Sequence, residues 1–121
     1  MNANGPTVKE HFKNRAPEVE AIYTAILKAA KKAAKKFGPV KEEAKKTSIH
    51  LVRKSAFAGI ATRKTALILT LKSDSDITSK RIAKREQASA HRWHLETRLE
   101  APGQVDREIL AWLKKAYELA A

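Results

Sequence analysis

The residues whose types and spacing could do chemistry begin with two histidines three apart, in "HRWHLETRL", His91 to Leu99. Such a pair is a familiar start to a metal site. In this stretch, however, Trp93, Leu95, Thr97 and Leu99 alternate with Arg92, His94, Glu96, Arg98 and Glu100, the period of a half-buried strand. Side chains three apart on a strand point to opposite faces. His91 then shares a face with Trp93, and His94 with Arg92 and Glu96, so the two cannot hold one ion. His50 is the better partner for His94 if their strands are neighbours. Arg92 and Arg98 would join them in a candidate pocket for a small anionic ligand. His11, His50, His91 and His94 show no ligand spacing as a set, so no metal and no cofactor is expected.

The carboxylate pairs are no stronger. Glu42 and Glu43 fall in a charged connection, and Asp74 and Asp76 in a loop. Both read as solvated turns or caps rather than an acid–base dyad. None of Ser48, Ser55, Ser73, Ser75, Ser79 or Ser89 lies in a nucleophile elbow, and the four glycines form no phosphate loop. There is no Cys, which excludes a disulfide scaffold, a thiolate metal site and a Cys nucleophile and fits a reducing cytoplasm. No catalytic residue emerges, and the chain reads as a non-enzymatic binding module.

Charge is the feature that stands out. The 121 residues carry a net +12, from 25 basic and 13 acidic side chains. Residues 1–27 and 91–121 each balance to zero, whereas residues 28–85 hold 17 basic and four acidic groups, a net +13. The excess is therefore in the middle of the chain and must be displayed on folded elements or their loops. The hydrophobic fraction, 43%, is that of a folded domain. No apolar run approaches the roughly 20 residues of a membrane helix, and the start, "MNANGPTVKEHF", has no apolar signal core.

The elements that must position these groups can be read from periodicity. Residues 1–16 lack a period and are expected to be a flexible leader to a single domain over residues 17–121. "APEVEAIYTAILKAAKKAAKKFGP" is a helix. Pro17 suits its first turn, Val19, Tyr23, Ile26, Ala30, Ala33 and Phe37 form its apolar stripe, and Gly38–Pro39 stop it. "TSIHLV", "AFAGIAT" and "TALILTL" read as three strands joined by the short turns "RKSA" and "TRKT", an antiparallel meander. Gly59 marks a bulge or a close backbone approach. Residues 73–89 are polar and charged, a short helix or a mobile loop. "HRWHLETRL" is the fourth strand, and "QVDREILAWLKKAYELAA" an amphipathic last helix with Ile109, Leu113, Ala116 and Ala120 on its stripe. The fold class is α+β: an N-terminal helix, an antiparallel sheet of about four strands, and a C-terminal helix, both helices on one sheet face.

This layout brings the charge together. Lys45 and Lys46, before the first strand, meet Arg63 and Lys64, between the second and third, at one sheet end. The helix that feeds the first strand adds Lys35, Lys36 and Lys41. Seven cations at one end would attract a nucleic acid or another polyanion. Trp93, Trp112 and Tyr117 occupy core positions, so contacts to a phosphate backbone are expected rather than base stacking. A homodimer through an exposed sheet edge or apolar face is a further possible partnership.

"KKTSIHLVRKSAFAGIATRKTALILTLK", "HRWHLETRL" and "DREILAWLKKAYELA", in that order, resemble a bacterial and archaeal family catalogued as domain of unknown function 5655. The resemblance covers roughly residues 17–119. Related domains occur beside nuclease-like domains or in chains labelled as predicted transport proteins. The resemblance implies no catalytic residues and none are transferred.

Overall fold

The computed structural model describes residues 7–33 and 40–120. The first helix, α1 (Pro17–Ala33), starts on Pro17, whose missing N–H would be unsatisfied there anyway, with Glu18 and Glu20 in the first turn. It buries Val19, Ile22, Tyr23, Ile26 and Ala30. The predicted extension through Phe37 to Gly38–Pro39 lies outside the described residues.

Six strands follow: β1 (Lys41–Ala44), β2 (Ile49–Val52), β3 (Ala56–Thr62), β4 (Leu67–Ser73), β5 (Ile82–Ser89) and β6 (Arg92–Leu99). All neighbours pair antiparallel, in the spatial order β1-β2-β3-β4-β6-β5. The second helix, α2 (Arg107–Leu119), has Asp106 as its N-cap, the carboxylate accepting from the Ile109 N–H at 3.2 Å. It buries Ile109, Leu113, Ala116 and Tyr117, the i, i+4, i+7, i+8 spacing of one helical face.

Both helices lie on one face of the sheet. There Ile49, Leu51, Ile60, Leu67, Leu69, Leu71 and Leu99 join the helix stripes in one core, and Phe57 meets Tyr117 edge-on with ring centroids 5.3 Å apart. The α+β class and the two terminal helices agree with the sequence. The strand count does not: where the sequence pattern predicts a charged connection and a helix or loop, the sheet has its two edge strands, β1 and β5. Each buries almost nothing. In β1 no residue is buried, and in β5 only Ile82 is. Without a buried face there is no alternation to read.

The leader also differs from expectation. Lys9–Phe12 forms a 3₁₀ turn whose Phe12 side chain is buried in the core, with its ring 5.2 Å from that of Tyr23. Residues 7–16 are thus docked, and the domain begins before residue 17.

Candidate functional site

Two turns build the basic sheet end. The β1–β2 turn closes with Lys45 N–H donating to Ser48 O at 2.7 Å, and the β3–β4 turn with Arg63 N–H donating to Ala66 O at 2.8 Å. The docked N-terminal segment ties one to the other. His11 Nε2 lies 2.8 Å from the Lys45 carbonyl oxygen, which can only accept. The Thr62 hydroxyl donates to His11 O at 2.7 Å, Arg15 Nε donates to that hydroxyl at 3.1 Å, and Ala16 N–H donates to Lys64 O at 2.8 Å. Lys45, Lys46, Arg63 and Lys64 therefore do share one end. Arg15 was not foreseen there, because its segment was read as a leader. Lys45 pairs with Glu43 at 3.2 Å, whereas Lys46, Arg63 and Lys64, all exposed, have no ion-pair partner among the described residues.

The rest of the expected cluster is different. Lys41 pairs with Val52, at the other end of the sheet. The unforeseen strand β1 is the reason: it carries the chain from Lys41 across the sheet to the turn at Lys45. Lys35 and Lys36 lie outside the described residues. Other basic groups are engaged in the fold. Arg53 donates to Tyr117 O at 3.2 Å and sits over the Tyr117 ring, 4.5 Å from its centroid, while Lys54 N–H donates to Ala120 O at 3.3 Å. The β2–β3 turn thus caps the negative end of α2. Arg81 bonds Asp106 at 2.9 Å, Glu108 at 3.1 Å and Gln104 O at 2.6 Å, and Arg85 bonds Asp76 at 2.8 Å. Arg81 and the Ile109 N–H together hold the Asp106 carboxyl below the usual carboxylate range.

The face of the sheet away from the helices is open. Opposed residues of an antiparallel pair share a face, and Glu43, His50, Gly59, Thr70, Glu96 and Lys84 form one line across all six strands. A hollow of about 340 Å³ lies on this face, with Ser48, His50, Gly59, Thr70, Lys72 and His94 in its lining. His50 and His94 thus flank one hollow, but β2 and β6 are not neighbours. Three strand spacings, about 14 Å, separate them, too far to share an ion. Arg92 and Arg98 lie on the His94 face by alternation but do not line the hollow. Arg98 Nε donates to Glu100 at 3.3 Å. Lys72 was not foreseen in this site. Its place follows from strand register, through its pairing with His94, and its ammonium donates to Ser55 Oγ at 3.2 Å.

The remaining candidates have structural partners. Asp76 pairs with Arg85 and Asp74 lies 3.7 Å from Lys115. Glu42 accepts from the buried Tyr23 hydroxyl at 2.5 Å. Burial first, and then this carboxylate, push the Tyr23 hydroxyl well above the ordinary tyrosine value. Among the described residues no group of three or more His, Cys, Asp or Glu could hold a metal ion, and no helix is long and apolar enough to cross a membrane. Both sheet edges are guarded against strand addition. β1 has four residues, and the β5–β6 register shifts twice beside the charged Lys84, Arg85 and Glu86.

The architecture is that of an α+β domain with one helix-covered and one open sheet face. The chain belongs to the family described as Domain of unknown function (DUF5655), whose profile matches residues 8–120. The match takes in the docked segment with Phe12 as well as both helices and the whole sheet. No curated protein and no solved structure matches the chain.

Proposed function

We propose that the domain is a non-enzymatic binding module that holds the phosphate backbone of a nucleic acid at the basic sheet end, in the cytoplasm. The observation that carries this reading is the pairing of two turns. Lys46 on one and Arg63 and Lys64 on the other project from the same end without acid partners among the described residues, and Arg15 is pinned beside them by Thr62. Cations held on rigid turns lose little freedom on meeting a phosphate, and each neutralised phosphate releases condensed counterions. Neither turn inserts a helix or ribbon suited to reading base edges, so the module contacts backbone and discriminates little between sequences. The absence of cysteine supports the compartment.

The test is binding of labelled single- and double-stranded DNA and RNA across a salt series, with heparin as a second polyanion. Wild-type protein is expected to bind with a Kd of about 10⁻⁴ to 10⁻⁶ M at physiological salt. The Lys46→Gln/Arg63→Gln/Lys64→Gln variant is expected to bind more weakly and to lose roughly two to three units of the log–log salt slope, since each phosphate contact contributes about 0.7 to 0.9. An unchanged slope in the variant would refute this location. Heparin binding without nucleic-acid binding would refute the nucleic-acid assignment.

A further inference from the structure

Gly59 occupies a position that its own backbone does not explain. It sits inside β3, paired with His50 on one side and Thr70 on the other. A side chain there would meet nothing closer than Thr70 Cβ at 3.8 Å and His50 Cδ2 at 3.9 Å, ordinary van der Waals contacts, and its φ is not in the left-handed region. Neither crowding nor backbone conformation therefore calls for glycine. Glycine in a strand interior is less stable than alanine because it loses more backbone freedom on folding, and it forgoes cross-strand packing. What the missing side chain leaves is the floor of the open-face hollow.

The lining of that hollow supplies donors from Lys72, Thr70, Ser48, His50 and His94; carboxylates stand beside it rather than in it, Glu96 opposite Thr70 and Glu86 3.8 Å from His94 Nδ1. Lys72 is steadied at the rim by Ser55. The rest of the lining from β3 is apolar, with Ala56 and Ala61 near Gly59 and Phe57 and Ile60 also bordering it. Its volume, about 340 Å³, lies within the range of small-molecule sites.

We propose that the open sheet face carries a second site, independent of the basic end, for a small ligand with a flat apolar body and one anionic group. The body lies on Gly59 and the anionic group, a carboxylate or a phosphate, meets Lys72 and Thr70, with His50 and His94 bounding the ligand at either end. The ligand is elongated across the strands, because the two imidazoles are separated by β3 and β4.

The experiment is a titration of the ¹⁵N-labelled full chain followed by amide chemical shifts. Benzoate probes a carboxylate source and adenosine monophosphate a phosphate source. Inorganic phosphate serves as the charge-only control and benzyl alcohol as the neutral one. Benzoate or the nucleotide is expected to shift Gly59, Thr70, Lys72 and His94 with roughly millimolar affinity, the range open to so few atoms, and the two controls are not. Gly59→Val, which fills the floor, and Lys72→Gln are each expected to weaken binding about tenfold or more. Gly59→Ala, which fits without strain, is expected to fold at least as stably as the wild type and to bind less well, so loss of binding is read apart from loss of fold. Three results would overturn the proposal: no shift on this face with either probe, shifts confined to Lys46, Arg63 and Lys64, or equal binding by wild type and the Gly59 variants.

Discussion

At the residue scale, Tyr23 and Glu42 show how a single polar contact sits between core and solvent. Tyr23 is buried against Phe12, while Glu42 is on an exposed edge strand. Removing the hydroxyl leaves a carboxylate that water can solvate, so Tyr23→Phe should cost only about 1 kcal/mol at neutral pH. The pH dependence has a definite sign. The folded-state value of Tyr23 is raised, so its contribution is complete below the ordinary tyrosine value of about 10 and is lost as pH rises above it. Urea unfolding at pH 7 and at about pH 11 should therefore show the wild type ahead of the variant at the lower pH and the gap closing at the higher. Equal stability at pH 7 would mean the hydrogen bond contributes nothing. The histidines teach a related lesson at this scale. Alternation alone separated His91 from His94, because the strand period is a local property. Whether His50 reaches His94 depends on strand order, which no local pattern encodes.

At the element scale, α2 is fixed at both ends by groups from the sheet and its connections. Asp106 caps its first turn and receives Arg81 from the turn before β5, while the Arg53 side chain and the Lys54 N–H close its last turn. Asp106→Ala removes a cap and one arm of the Arg81 staple and should lower stability by about 1–2 kcal/mol. The Asp106 value is depressed in the fold, so its contribution is complete above the ordinary carboxylate range and disappears as pH falls through the lowered value. Thermal unfolding of the two proteins should differ at pH 7 and converge near about pH 3 or below. A difference that persists unchanged into acid would assign the effect to something other than this carboxylate. The elements that bury a face were legible in the sequence: α1, α2, β2, β3, β4 and β6 each repeat an apolar residue at the helical or strand period. β1 and β5 were not, since "KEEA" and "IAKREQAS" hold their places by ladder hydrogen bonds on the sheet's rims. Missing β1 had a direct consequence for the candidate site, moving Lys41 to the wrong end.

At the scale of the whole molecule, the net charge divides into structural and displayed parts. Arg53, Arg81 and Arg85 make bonds that hold turns, a helix and a connection together, and their charge is partly answered by Asp76, Asp106 and Glu108. Lys46, Arg63 and Lys64 remain displayed. A sum over residues 28–85 cannot make this division, which depends in part on Asp106 and Glu108, brought from the C-terminal third of the chain. The docking of residues 7–16 has the same long-range character. Phe12 packs into the core against Tyr23 of α1, and His11 and Arg15 reach the Lys45 carbonyl and Thr62, each more than 30 residues away.

The strand order has a consequence for how the sheet comes apart. β6 lies between β4 and β5, although β5 precedes it in sequence. β5 is tied to the sheet on one side only and buries a single side chain, Ile82, so it can peel away while β6 keeps its ladder to β4. Amide hydrogen exchange should therefore record two tiers: early release along Lys84–Ser89, and slow release, at the rate of global opening, along β3, β4 and the β4-facing amides of β6. Simultaneous release of β5 and β4 would mean that the sheet opens as one cooperative unit. In the two-tier case, the native ensemble contains a minor five-stranded form whose edge is β6, its outward backbone N–H and C=O groups open to a new strand.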